Sequence, residues 1–241
     1  MNRLFSTIRK DALLQVRYHF YTIALGLAAL VAVVFCITLT AEHVHGAASA
    51  AILFLVGGTT FVFVGGLILD EKEKGILQAL IYSPLRTIEY LASKVITLTA
   101  LATVEVGILL GIPIAWFAWS ESASVPHMPV LFVGIVAINL LYTLLGLGIT
   151  VRFRSITDYL IPVIAVMIAL QLPAIYFLGL WEHPGFLLIP SSAPVMLIKG
   201  AFEPIASWQW AFGAVATPLW LSALAVWATR SYDTFIVQRM S

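Results

Sequence analysis

Glu105 is the one carboxylate near the middle of an otherwise apolar run, about Val95 to Trp116. A charge at a bilayer centre costs roughly 2.5–3.5 kcal/mol on insertion scales, so such a group faces protein or a wet cavity, or carries a proton. Two chemistries fit it: contact with a substrate or a proton, or a hydrogen bond to a neighbouring helix, for instance to Asn139. Gly107 and Gly111 follow as G-x-x-x-G, a spacing that lets helices approach closely. Thr59, Thr60, Asn139 and Gln171 are further polar groups in apolar runs; each either lines a pathway or binds one helix to another. Glu42, His43 and His45 have metal-ligand side chains, but two imidazoles and one carboxylate on a loop are a weak donor set, and no metal site is expected. His127 and His183 read as surface residues at turns. The chain has no H-E-x-x-H, no G-x-S-x-G and no paired aspartates in its apolar runs, which disfavours an embedded enzyme and leaves no catalytic residues to name. It also lacks the G-x-x-x-x-G-K-S/T phosphate loop, so it does not bind ATP by that motif.

A second constellation is "LDEKEKGILQALIYSPLR", residues 69–86. Asp70 to Lys74 place five of the chain's 25 charged residues in one pentapeptide. Beyond it, Ile76, Leu77, Leu80 and Ile81 recur at helical spacing. Gly75 and Pro84 bound that turn, and Ser83 before a proline disfavours helix. The pattern predicts a short helix of about two turns, with Asp70, Glu71 and Glu73 at its N-terminal end, where negative charge complements the helix dipole. Thr87 and Glu89 suit the start of the next helix.

The elements that must position these groups follow from composition. The 241 residues are 61% hydrophobic and 10% charged. Soluble domains are about 45–50% apolar and about 25% charged. Several windows run 18 or more residues without an ionisable group, which marks membrane spans. Six are expected, near Phe20–Thr40, Ala48–Leu69, Val95–Trp116, Val130–Val151, Tyr159–Trp181 and Trp210–Thr229. The small-residue stretch at 46–51 resembles a cleavage site, but the apolar run before it is too long for a signal peptide and reads as a retained span. Twelve of the 13 Lys and Arg residues flank one side of these spans and Lys199 alone the other. The positive-inside rule then puts both termini in the cytoplasm of a plasma (inner) membrane protein, as an even span number requires. Trp116, Trp119, Trp181, Trp208 and Trp210 cluster at the outer ends, an interfacial preference.

Residues 1–19 read as an amphipathic interfacial helix, with Leu4, Phe5, Ile8, Ala12 and Leu13 on one face and Arg3, Arg9, Lys10, Asp11 and Arg17 on the other. The outer segment 182–207 is apolar but divided by Pro184, Pro190, Pro194 and Pro204, so it reads as re-entrant, with a short helix near Pro194–Phe202. Pro173 is expected to kink span five. Gly57, Gly58, Gly65 and Gly66 are expected to let neighbours approach span two, and Asp158 to pair with Arg152 or Arg154. A net charge of +1 argues against a nucleic-acid partner, and the single Cys36 allows no intrachain disulfide.

The whole chain resembles the ABC transporter type-2 permeases. The likeness is carried by "ILDEKEKGILQALIYSPLRTIEYLASK", residues 68–94, in which Glu71-Lys72-Glu73, Gly75, Leu77, Ser83-Pro84-Leu85, Glu89-Tyr90-Leu91 and Lys94 fit the family pattern, with Ile76 where threonine is common. "RFRSITDYLIPVI", residues 152–164, and the long segment after span five look most like the permease subunits of fluoroquinolone-type drug export systems. The resemblance implies a single all-α membrane domain over residues 1–241. It implies a cytoplasmic coupling helix within residues 70–86, where Glu71, Lys72, Glu73, Gly75, Leu77, Leu80 and Pro84 meet separate ATPase subunits. ATP and Mg would bind those subunits and not this chain, and a second permease copy, identical or not, would complete the pathway. Membrane segments without Lys or Arg favour a hydrophobic or amphiphilic substrate, such as a drug or lipid. A permease for a polysaccharide or haem, or a non-transport membrane scaffold, remains the alternative.

Overall fold

A computed structural model describes residues 3–40, 47–76, 87–120 and 125–234. Among them every regular element is a helix and none is a strand. Helix α1 (Arg3–Arg17) turns through Tyr18 and His19 into α2 (Phe20–Thr38). There follow α3 (Ala47–Glu73), α4 (Thr87–Ser120), α5 (Met128–Thr150), α6 (Ile156–Gln171), α7 (Pro173–Phe177), α8 (Ser192–Phe202) and α9 (Ser207–Tyr232). Six helical stretches are long and apolar enough to cross a membrane: α2, α3, α4, α5, α6 with α7, and α9. These are the six expected, with most ends shifted by up to four residues and the start of α4 by eight. Among the described residues one end of the bundle, the basic end, carries α1 and every Lys and Arg except Lys199.

A shift of four residues falls at the charged pentapeptide. Asp70, Glu71, Lys72 and Glu73 do not open a new helix; they are the last turn of α3. The expectation of acidic residues at a helix N-terminus is corrected on this point. No breaker separates Leu69 from Gly75, Glu and Lys are good helix formers, and the Lys74 ammonium lies 2.7 Å from the Asp70 carboxylate one turn back. The first residue able to stop the helix is Gly75, which adopts φ +69°, the left-handed conformation that glycine enters without a Cβ penalty. Leu77, Leu80 and Pro84 lie outside the described residues, as do Glu42, His43 and His45.

Packing is set by small residues at close crossings. Ala24, Ala28 and Ala32, four apart on α2, are fully buried where α2 lies along α4. On α3 the glycines face different partners: Gly57 the ring of Tyr142, Gly58 Met167, Gly65 the ring of Tyr159 and Gly66 Phe20. The Tyr159 hydroxyl then donates to Phe61 O at 2.7 Å, so α6 is tied to the α3 backbone. Gly148 on α5 meets the Trp227 ring of α9, and Arg152 stacks on the same ring at 5.0 Å. The pair expected at Gly107 and Gly111 behaves otherwise: both are exposed, and a Cβ at either would meet nothing within this chain.

The segment 182–207 holds a 3₁₀ turn (Pro184–Leu188) and then α8, which begins at Ser192, two residues before the expected Pro194. Helix α8 is largely buried between α5 and α9, where Gly134 and Gly213 make room for Ile198 and Leu197. Pro173 opens α7 after α6 ends at Gln171, the break anticipated for span five. The Ser155 hydroxyl donates to Asp158 at 2.8 Å and accepts from its backbone N–H, so Asp158 serves as part of the α6 cap.

Gly148→Ala is expected to force a Cβ into the Trp227 ring and to destabilise by about 1–3 kcal/mol, the cost of overpacking. Thermal unfolding of the purified chain in detergent should show a lower midpoint, with partial recovery when Trp227→Leu is added.

Candidate functional site

Two polar sites lie on the same pair of helices, α3 and α4. The first is at the basic end. Lys94, one turn after Tyr90 on α4, has 0% exposure, and Asp11 on α1 and Glu71 on α3 have 3% and 5%. The Lys94 ammonium donates to Asp11 Oδ1 at 2.7 Å and to Glu71 Oε1. Ser93 donates to Asp11 Oδ2, and the Tyr90 hydroxyl donates to Glu71 Oε2 at 2.6 Å. All four carboxylate oxygens therefore have a donor, which a buried charge pair requires if its desolvation is to be offset. The Tyr90 ring also lies 5.2 Å from the ammonium and 5.3 Å from the Tyr232 ring of α9. Four elements, α1, α3, α4 and α9, thus converge on one lysine.

A second layer covers this cluster. The Tyr18 hydroxyl, in the turn between α1 and α2, donates to Asp70 Oδ2 at 2.6 Å. Lys74 donates to Tyr18 and Asp70, each at 2.9 Å, and its hydrogen bond to Asp70 raises the ammonium's pKa above the ordinary lysine value. Lys72 Nζ donates to Val151 O at 3.1 Å and Phe153 O at 2.8 Å, just past the C-terminus of α5. Carbonyls there lack intrahelical partners and carry the negative end of the helix dipole.

This placement redistributes the residues expected at an ATPase-facing surface. Glu71 is inside, held by Lys94 and Tyr90. Lys72 is directed onto α5, Glu73 is exposed, and Gly75 ends α3. Asp11 is likewise not on a solvated polar face of α1; it points into the protein, and Gln15 one turn on is fully buried beside it on that face with neither side-chain amide atom partnered. Sequence reasoning missed Asp11, Ser93 and Tyr90 as members of one site. A signal existed in the i, i+4 pairs Asp11/Gln15 and Tyr90/Lys94, each placing polar groups on a helix face that also carries apolar residues.

The second site is inside the bundle. Glu105 on α4 is 1% exposed. Its carboxyl oxygens lie 3.0 Å from the Thr59 hydroxyl on α3, so the partner is Thr59 rather than Asn139. Asn139 Nδ2 instead donates to Thr103 Oγ1 at 3.3 Å, and Asn139 Oδ1, Thr60 Oγ1 and Thr143 Oγ1 are buried without partners. Residues Ile52–Val56, immediately before this part of α3, form a π-helical turn. Such turns insert where helices carry functional groups. Gln171, the last residue of α6, is half-buried and is not brought to either site.

Residues 2–240 match the Fluoroquinolones export permease protein family. Two relatives, one from each of two strains of Mycobacterium tuberculosis, are described as fluoroquinolones export permease proteins. Each is 31% identical over 245 residues, covering 99% of this chain and 98% of its own.

Lys94→Met is expected to leave two buried carboxylates without a cation and to cost about 3–5 kcal/mol, the usual penalty for breaking a buried pair. Adding Asp11→Asn and Glu71→Gln should restore most of the loss. Unfolding midpoints of the single and triple variants in detergent check this; equal midpoints for wild type and Lys94→Met would show that the cluster contributes nothing.

Proposed function

The chain belongs to the fluoroquinolones export permease family, and on that premise we propose that it is the membrane permease subunit of an ATP-driven exporter of amphiphilic drugs. The observation that carries this reading is the family match over residues 2–240 together with six helices able to cross a membrane. Energy is supplied by separate ATPase subunits, which bind ATP and Mg. They dock at the basic end, which is cytoplasmic by its Lys and Arg content. A second permease copy completes the pathway in the plasma membrane.

The coupling segment runs from the end of α3 through residues 77–86. Its docking groups on this reading are Glu73 and the segment beyond Gly75, to which Leu77, Leu80 and Pro84 belong. Glu71 acts from inside. Its bonds to Lys94 and Tyr90 fix the last turn of α3 against α1 and α4, so that force applied past Gly75 is received by several helices together. Lys72 extends that anchorage to α5.

The test is export by the chain co-expressed with a phosphate-loop ATPase encoded beside it, in a drug-sensitive bacterium. A fluoroquinolone should accumulate less only when both subunits are present, and the two should co-purify. Glu73→Lys and Gly75→Val, the latter placing a β-branched side chain at a left-handed residue at about 1–2 kcal/mol, should lower export while leaving ATP hydrolysis in the complex. Normal drug-stimulated hydrolysis and normal export in both variants would remove the coupling assignment.

A further inference from the structure

The hydrogens available at Glu105 do not suffice for a carboxylate. The Thr59 hydroxyl has one proton. Around it stand four acceptors: Glu105 Oε1 and Oε2 at 3.0 Å each, Leu55 O at 3.2 Å and Val56 O at 3.3 Å. Among the described residues Glu105 is in no ion pair. Helix α2, which lies along α4, buries Ala24, Ala28 and Ala32 and carries Cys36 near its C-terminal end. Helix α5, which also packs against α4, buries Asn139, whose amide is given to Thr103, and Tyr142. The charges of α1, namely Arg3, Arg9, Lys10, Asp11 and Arg17, and Arg230 of α9 belong to the basic end. Lys94 is eleven residues away on α4, about 16 Å at 1.5 Å per residue, and is held by two other carboxylates. A buried acid without a counter-ion keeps its proton rather than its charge. With that proton Glu105 O–H donates to Thr59 Oγ1, and Thr59 O–H donates to Leu55 O or Val56 O in the π turn.

Beside the π turn is a groove of about 510 Å³, lined by Val31, Phe35, Ala50, Phe54, Leu55 and Leu178 and almost wholly apolar. Leu55 belongs to both features, lining the groove and offering its carbonyl to Thr59. The volume lies within the range of sites for drug-sized ligands, whose walls are mostly apolar with few polar groups.

We propose that Glu105 and Thr59 form an exchange site for lipophilic organic cations, amine-bearing drugs included, in which the cation takes the place of the Glu105 proton. This deepens, and rests on, the reading of the chain as an exporter of amphiphiles. The apolar body of the ligand occupies the groove and its positive centre neutralises the carboxylate. One proton leaves Glu105 for solvent as one cation enters, so the charge in the membrane interior is unchanged. The Thr59 hydroxyl turns from the Leu55 or Val56 carbonyl to the carboxylate, exchanging one hydrogen bond for another.

The experiment uses the purified full-length chain in detergent with tetraphenylphosphonium, a cation that carries no exchangeable proton. In weakly buffered solution about one proton should be released per cation bound, and affinity should strengthen with pH, by up to roughly tenfold per unit while the acid is protonated. Glu105→Gln should abolish proton release and the pH dependence together. Binding without proton release, affinity independent of pH in the wild type, the same proton release from Glu105→Gln, or no binding at all would overturn the assignment. The wild-type proton count needs no variant to fold. Drug export retained by Glu105→Gln alongside its ATPase would overturn the exchange site and leave the exporter reading standing. Proton-for-cation exchange by a wild-type chain that exports nothing would do the reverse.

Discussion

The structure depends on one buried lysine. Lys94 holds Asp11 and Glu71 in a site closed to water, and Ser93 and Tyr90 complete the carboxylate hydrogen bonding. The three charges leave a net −1 in a low-dielectric place, which is sustained only because each oxygen has a donor. The position of α1 follows from it. A helix with Leu13, Val16 and Phe5 exposed is free to slide on an apolar surface, but one tied through Asp11 has a fixed register. The sharp turn that follows, with His19 at φ 59°, and the Tyr18 bond to Asp70 are then consistent with α2 having only one place to start.

Glu105 presents the opposite case on the same helix. At the basic end, charge is kept by supplying an opposite charge and a full set of donors. In the interior Glu105 is in no ion pair among the described residues, one hydroxyl lies within reach of two carboxyl oxygens and two carbonyls, and on our proposal the group holds a proton. The polar atoms of Asn139, Thr60 and Thr143 left without partners nearby add to a region of incomplete hydrogen bonding within a bundle otherwise closed by alanine and glycine contacts.

The number, order and approximate ends of the spans were legible in the sequence, because a run of about 20 apolar residues has few other uses. The break at Pro173 and the helix at Ser192–Phe202 were legible through proline, which acts locally. What one sequence conceals is direction. Asp70, Glu71, Lys72 and Glu73 look alike as a charged run, yet Asp70 bonds Tyr18, Glu71 is buried on Lys94, Lys72 reaches the end of α5, and Glu73 is exposed. Helical spacing of about 100° per residue sends four consecutive side chains to four sides, and only the neighbours decide what each finds. The same limit applies to Glu105. Its burial was legible from the apolar run, but its partner required knowing that Thr59 on α3 stands opposite it.

These two contacts are mechanically related. Glu71 and Thr59 are twelve residues apart on α3, about 18 Å along the axis; Lys94 and Glu105 are eleven apart on α4, about 16 Å. The antiparallel pair therefore meets twice, once through a saturated ion cluster and once through a single hydroxyl. If the cluster is the firmer contact, a change in crossing angle pivots there and is largest at Thr59. A rotation of about 5° over that length displaces Thr59 by roughly 1.4 Å, enough to break a hydrogen bond of 3.0 Å. The segment after Gly75 enters α3 at the clamped end. Motion arriving there reaches the interior through the helix between, past the bond from Tyr159 to Phe61 O, before it meets the contact between Thr59 and Glu105.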